Sequence, residues 1–386
     1  MNKTRLCILT THPIQYIAPW FRALAADPAL EVQVIFLREP TAQQQGHGFG
    51  TAFTWDLPLR EGYASSVLDR AAGWSALPRL LSALAAQLRA ARPDALLITG
   101  WNEPALIAAY PLGRLLRVPI LVRGESNLLR RRERWKTLLH RVLLRQAAAA
   151  LLIGKSNRDF YLASGVDAGR LYEGAYFVES ERLLAMAAAQ QGQREALRAA
   201  AGFGAADFVF CFVGKHVAFK RPGLLIEAAA QARARGWPAK LLFAGAGELS
   251  EELRRRCGEL EVPAHFTGFL NQSQLWQAYV PADAFVLPST VAETWGLVTN
   301  EAMLFGLPVI VSEHVGCGPD LVRDDETGYV FSGGAAELAQ AMMRLMRDPG
   351  RARSMGASAR KLVAEQYSMP TATRGLKQAL AALAQH

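Results

Sequence analysis

Cysteine is scarce and scattered. Cys7, Cys211, Cys257 and Cys317 are spread over 386 positions with no Cys-x-x-Cys pair. That spacing argues against a zinc module and a disulfide framework, and it suits a reducing cytosol. Long hydrophobic runs are missing as well. No apolar stretch approaches the ~18 residues that span a bilayer. Lys3 and Arg5 precede only a short apolar stretch before His12-Pro13, so the N-terminus reads as a first strand and not as a signal peptide. Negative charge is in deficit: 43 Lys and Arg face 34 Asp and Glu, a formal +9. Such a balance favours anionic partners, whether nucleotide phosphates, nucleic acid or an anionic membrane face. Neither zinc-finger spacing nor an aromatic-basic strand motif for RNA is visible, which sets nucleic acid aside.

What remains is an ordinary globular composition, 51% hydrophobic with eight Trp and 17 Phe, in a chain long enough for two domains with separate cores. The pattern alternates short apolar runs with helical stretches. Strands are expected at 5–10, 32–37, 95–99, 119–122, 149–153 and 170–173, then at 208–213, 240–244, 284–288 and 309–312. Helices are expected at 18–26, about 76–91, 103–116, 159–164, one long helix over 179–201, then 224–235, 249–260, 272–280, 337–346, 351–366 and 370–385. Alternation of this kind predicts α/β architecture, with two doubly wound Rossmann-like domains. The boundaries are 1–178 and 179–367, and in folds of this kind the segment from about 368 to 386 commonly crosses back onto the first domain. Residues 41–63, polar, glycine-rich and aromatic, form either a loop at the edge of a cleft or a disordered stretch.

The chain is organised around residues 284–312. An apolar run stops at Pro288; a loop carrying Glu293 leads through Gly296 into a short helix containing Glu301; Gly306 ends it, and a second β-branched run follows. The backbone N–H groups of Gly296, Leu297 and Val298 form a free helix start, which attracts an anion. A second basic turn follows the run 208–213: Gly214, Lys215, Lys220 and Arg221 precede a helix. Solvated side chains are the bland reading of each lysine alone. In the first half, strand-end loops place His12 and Gln15, and later Glu125, where ligands bind in open α/β sheets. For His12 the alternative is a capping or core histidine, and for Glu125 a local ion pair with Arg123. Asp320 is expected to cap a helix. Arg130, Arg134, Arg141 and Arg145 fall within about 60° on a helical wheel, with Trp135, Leu139, Val142 and Leu143 across from them. This is either a surface helix packed on its sheet or a contact for anionic lipid.

The segment Glu293-Thr-Trp-Gly-Leu-Val-Thr-Asn-Glu301, with Ala-Met and Gly-x-Pro-Val after it, resembles the Glu-x7-Glu signature of retaining GT-B glycosyltransferases of family 4, the glycosyl transferases group 1 type. The resemblance is clearest over about residues 208–331. The loop His12-Pro-Ile-Gln15-Tyr, which lacks the glycines common there, resembles a subgroup linked to bacterial surface polysaccharides. This likeness implies two facing Rossmann-like domains with a cleft between them. It also implies metal-independent, retaining hexosyl transfer from a nucleoside-diphosphate sugar, UDP- or GDP-linked, to a glycan or lipid-linked acceptor, with no further cofactor. Lys215 and Lys220 would neutralise the diphosphate, with Arg221 assisting, although the family usually has Arg at the first position. Gly214 and the amides of Gly296, Leu297 and Val298 would sit against the phosphates. Glu293 would contact the donor sugar, Glu301 the ribose, and the backbone around Phe269 the base. His12, Gln15 and Glu125 would face the acceptor. A cytoplasmic place follows, with peripheral attachment at the inner face of the cytoplasmic membrane through the arginine-rich helix. Rival readings are a glycoside hydrolase, a nucleotide-sugar epimerase of related fold, and a non-catalytic protein that binds nucleotide sugar or anionic membrane.

Overall fold

The computed structural model describes residues 3–68, 77–129 and 132–385. Its strands form two wholly parallel sheets. The first contains β1 (Thr4–Thr10), β2 (Leu30–Phe36), β3 (Ala64–Val67), β4 (Ala95–Ile98), β5 (Ile120–Val122), β6 (Ala149–Leu152) and β7 (Leu171–Glu173). They lie in the order β3-β2-β1-β4-β5-β6-β7. The second contains β8 (Phe208–Val213), β9 (Ala239–Ala244), β10 (Ala264–Gly268), β11 (Ala284–Leu287), β12 (Val309–Ser312) and β13 (Gly328–Phe331), in the order β10-β9-β8-β11-β12-β13.

Why these segments are strands follows from burial on both faces. Every residue of Phe208–Val213, Phe-Val-Phe-Cys-Phe-Val, is buried, as are all four of Ala284–Leu287. A strand covered by helices on either side reads as a continuous apolar run, not as an alternation. In each sheet the strand order reverses beside the first strand: between β1 and β4, and between β8 and β11. Loops that leave the C-terminal ends of the strands diverge there and open a crevice for ligand.

Two compact units contain these sheets. The first takes the chain up to Thr41, then Leu57–Tyr176, then the stretch from Met369 on; the second takes Ala42–Asp56 and Phe177–Ser368. Helix Met369–Leu383 returns to the first unit by burying Ala372, Leu376, Ala379 and Leu380, and Trp20 Nε1 donates to Thr373 Oγ1 at 3.0 Å.

Some local expectations need correction. The single helix over 179–201 is two helices, Ser180–Gln190 and Arg194–Ala200, joined by a 3-10 turn at Gln191–Gln193. Gly192 lies in that joint, where its backbone freedom weakens continuous helix. Residues 272–280 form a helix only at Trp276–Tyr279. A short helix, Ala42–Gln45, lies in the stretch taken as loop. Asp320 does not cap: Cys317 is the N-cap of helix Gly318–Leu321, and Asp320, inside it, accepts a hydrogen bond from the Tyr367 hydroxyl at 3.0 Å.

The basic helix also differs. It runs Arg134–Leu144 and buries His140, Leu143 and Leu144, while Trp135, Leu138 and Val142 stay exposed. Trp135 and Val142 therefore do not lie on its packed side. At 100° per residue they fall between the arginine row and the Leu143 edge of the buried stripe. Arg130 and the expected start of the helix near residue 76 lie outside the described residues.

Candidate functional site

The site grows from the switch point of the second sheet. Strands β8 and β11 pair through Phe210 and Cys211 against Ala284 and Phe285, so the loops that follow them are neighbours. After β11 the chain crosses residues 288–296 and enters helix Leu297–Leu304. Gly296 is its N-cap at φ 96°, and a Cβ built there would lie 2.6 Å from Leu287 Cδ2. Both the left-handed backbone and the lack of space demand glycine. Gly296 thereby sets the start of the helix, whose first N–H groups lack intrahelical acceptors. Backbone bonds steady the loop: Glu293 N to Thr290 O at 3.0 Å, Gly316 N to Glu293 O at 3.2 Å and Cys317 N to Trp295 O at 3.1 Å. Trp295 is buried and donates from Nε1 to Asn300 Oδ1 at 2.9 Å.

The loop after β8 comes to meet it. Gly214 and Lys215 leave the strand, a 3-10 turn spans Ala218–Lys220, and Arg221 caps helix Pro222–Ala234 from the left-handed region at φ 52°. The Thr290 N–H donates to Phe219 O at 2.8 Å, which locks the two loops together. Lys220 Nζ then forms an ion pair with Glu293 Oε2, each side chain only 13% exposed. Ser289 Oγ donates to the same carboxylate oxygen at 3.1 Å. Lys215 takes another direction. Its Nζ donates to the His47 carbonyl at 2.6 Å and lies 5.1 Å from the Phe49 ring centroid. Burial, and then the positive charge of Lys220, lower its pKa. Loss of water and a like charge nearby both disfavour the protonated amine, and an added anion would restore it.

Glu301 lies inside the helix and is 1% exposed. Its Oε2 accepts from the Tyr279 hydroxyl at 2.8 Å, so this carboxylate is held from beneath by a residue 22 positions earlier. Phe269 follows β10, and its ring packs against Phe49 at 5.0 Å and Phe53 at 4.2 Å between centroids.

In the first unit, His12 and Gln15 follow β1, and Glu125 follows β5, with β4 between those strands. His12 Nδ1 and Thr11 Oγ1 share a hydrogen bond at 2.9 Å. Burial, and then Arg38, lower the His12 pKa, against an opposing pull from Glu103. Gln15 is buried. Glu125 accepts a hydrogen bond from the Tyr176 hydroxyl. Arg123 is buried, donates to Ala175 O at 3.0 Å, and stacks over the rings of Tyr176 and Trp20.

The structure thus brings Lys220, Glu293 and the helix start at Gly296 together directly, with Arg221 at the edge of the same turn. Lys215 and Phe269 share the aromatic partner Phe49. Sequence reasoning missed the residues that hold these groups: Ser289, Tyr279, Trp295 and Asn300. Ser289 stands four positions before Glu293 and Asn300 next to Glu301, so proximity in the chain was the one signal available for them.

Two wholly parallel, doubly wound sheets define a pair of Rossmann-like domains, the architecture of GT-B glycosyltransferases. Residues 193–362, less than half of the chain, match the family model described as glycosyl transferases group 1. Among curated proteins, the sulfoquinovosyl transferase SQD2 of Arabidopsis thaliana is 34% identical over 142 residues, covering 36% of this chain and 27% of the relative. The D-inositol 3-phosphate glycosyltransferase of Rhodococcus erythropolis is 32% identical over 198 residues, covering 48% of this chain and 43% of the relative. Alignment to these relatives therefore spans less than half their length. Among solved structures, a glycosyltransferase from Rickettsia africae superposes with a TM-score of 0.77 at 13% identity, over the whole of both chains. Anabaena HepE, in complex with UDP and glucose, gives 0.71 at 15% identity, covering 98% of this chain and 99% of that one. At these identities the superpositions speak to fold.

Proposed function

We propose that the protein is a retaining, metal-independent glycosyltransferase of the family 4 type. In this reading it moves a sugar from a UDP- or GDP-sugar to a glycan or lipid-linked acceptor, in the assembly of bacterial surface polysaccharide. The observation that carries the proposal is the meeting of Lys220, Glu293 and the Gly296 helix start at a switch point. Cation, carboxylate and helix-start amides are the kinds of group that a diphosphate and its sugar call for. The relatives named for sugar transfer, and the UDP held by the Anabaena neighbour, support the same choice.

In this mechanism the bond between the anomeric carbon and the diphosphate oxygen breaks, and charge develops on the departing phosphate. Lys220, Lys215 and the amides of Gly296, Leu297 and Val298 stabilise that charge from fixed positions. Glu293 exchanges part of its bond to Lys220 for hydroxyls of the donor sugar, and Glu301 orients the ribose. The acceptor hydroxyl attacks on the face the phosphate leaves, and its proton passes to the departing phosphate oxygen. His12, Gln15 and Glu125 are the acceptor-side residues of the first unit. A thermal-shift screen against nucleoside diphosphates and their sugars tests this reading. Stabilisation by one base, and more by one sugar, would name the donor; no shift with any nucleotide would sink the proposal.

A membrane contact belongs to the same reading. Exposed Trp135, Leu138 and Val142 adjoin Arg134 and Arg141 on one helix, and Arg145 follows at its end. Apolar insertion beside a cationic row suits anionic lipid at the inner face of the membrane. Co-sedimentation with anionic but not neutral vesicles, lost in a Trp135→Ser/Leu138→Ser variant, is the expected result. Equal absence of binding to both vesicles would overturn it. Among the described residues no helix is long and apolar enough to cross a bilayer.

A further inference from the structure

Residues 42–56 belong by contact to the second unit, although the chain on either side of them belongs to the first. This strap is tied down along its length. Asn271 Nδ2 donates to Thr54 O at 2.8 Å, and the Ser273 N–H donates to Asp56 Oδ2 at 3.0 Å. Midway, Phe53 and Trp55 pack edge to face at 4.8 Å, Phe49 and Phe53 at 5.5 Å, and both phenylalanines close on Phe269. Near the tip the His47 carbonyl takes the Lys215 ammonium. Gly48 makes that approach achievable: it sits at φ 82°, and a Cβ there would lie 2.9 Å from Lys215 Cδ.

The two groups engaged by the strap are the two that a nucleotide would use at this edge of the sheet. Phe269 offers a flat apolar face beside the β10 loop, and Phe53 covers it at 4.2 Å and 33° between ring planes, a separation that leaves no room for a third ring between them. Lys215 offers a cation, and a neutral carbonyl oxygen satisfies it. An aromatic ring on Phe269 and an oxygen on Lys215 have the chemistry of a nucleobase and a phosphate oxygen.

We infer that the strap is a displaceable occupant of the nucleotide site: Phe53 stands in for the base on Phe269, and the His47 carbonyl stands in for a phosphate oxygen on Lys215. The inference rests on the donor-site reading above. Nucleotide binding then exchanges the strap's ring and carbonyl for the ligand's own, and the apparent affinity is the intrinsic one reduced by the fraction of molecules with the strap released. A doubly charged diphosphate is a far better partner for Lys215 than a peptide carbonyl, so the exchange favours nucleotide. The strap also covers part of the Phe49, Phe53 and Phe269 rings when the site is empty.

The test compares the full-length protein with Phe53→Ala, since Phe53 is only half-buried and lies outside the core. UDP and GDP affinities are measured by calorimetry, alongside amide hydrogen exchange of residues 46–55. If the strap competes, Phe53→Ala binds its preferred nucleotide roughly threefold to tenfold tighter, as expected when one aromatic pair is removed from the closed form. Exchange in 46–55 of the wild type then rises on nucleotide addition. Weaker or unchanged binding by Phe53→Ala, or slower exchange in 46–55 on nucleotide addition, overturns the inference and makes the strap a supporting wall. Failure of both proteins to bind either nucleotide overturns the donor-site reading itself, and this inference with it.

Discussion

Lys220 and Glu293 come from different loops, 73 positions apart, and form an ion pair with both side chains 13% exposed. The pair exists because Phe219 and Thr290, their near neighbours, are joined by a backbone hydrogen bond of 2.8 Å. In such a half-dry place neither charge is well solvated, so each depends on the other until a ligand supplies new partners.

Removing one member separates structure from chemistry. Glu293→Ala leaves the Lys220 ammonium without its carboxylate and should cost about 2 kcal/mol of stability, read from urea denaturation. Lys220→Ala should lower kcat by roughly a hundredfold with a smaller change in KM, because its charge matters most as the phosphate departs. Unchanged kinetics in Lys220→Ala would remove it from the site.

Tyr279 supports Glu301 from below. Tyr279→Phe deletes the hydroxyl that donates at 2.8 Å and should cost about 1 kcal/mol of stability. Glu301→Ala should weaken donor binding by about tenfold or more while leaving kcat at saturating donor closer to wild type. Equal donor affinity in Glu301→Ala and wild type, measured by calorimetry with the nucleotide, would disconnect the residue from the ribose.

Gly296 admits no side chain. At φ 96°, and with Leu287 Cδ2 at 2.6 Å from a modest Cβ, Gly296→Ala combines backbone strain with overpacking. A loss of about 2–4 kcal/mol is expected from those two terms together, along with loss of nucleotide binding. Denaturant midpoints and a binding isotherm on the same preparation check both.

Acid sensitivity follows from buried histidines. His216 is 1% exposed, with Nδ1 bonded to Ser250 Oγ. Burial, and then Arg254, push its pKa down to about 4. Burial and Arg132 push His140 to about 4 as well. The unfolded chain protonates these rings near pH 6.5, before the folded one does. Between about pH 6.5 and 4 the unfolded state therefore holds more protons, and stability falls as pH falls. The slope approaches about 1.4 kcal/mol per pH unit for each ring. His216→Asn should flatten part of that slope in urea titrations at pH 4.5, 5.5 and 6.5; an unaltered slope would exclude His216 as a source.

Much of the architecture was legible in the chain. Strands such as Phe208–Val213 and Val309–Ser312 are apolar runs bounded by turn residues, and burial on both faces leaves them no other reading. Local patterning also located the Gly296 helix start, because a glycine between a strand and a helix is a local event. The resemblance of residues 293–301 to a family signature pointed to the same loop. In the stretch 179–201 Gly192 was a weak local signal for the break, outweighed in the reading by the Ala- and Gln-rich residues around it. That residues 272–280 are helical only at Trp276–Tyr279 could not be seen from the residues alone.

The class of fold and the loops that end its strands could be read along the chain, since period, length and turn chemistry are properties of sequence neighbours. Which side chains meet is a matter of three-dimensional packing. Lys220 reaches Glu293 over 73 positions, Tyr279 reaches Glu301 over 22, and His47 reaches Lys215 over 168. Such pairings are set by the strand order that brings β8 beside β11 and by packing across the unit, and one-dimensional spacing carries no record of either.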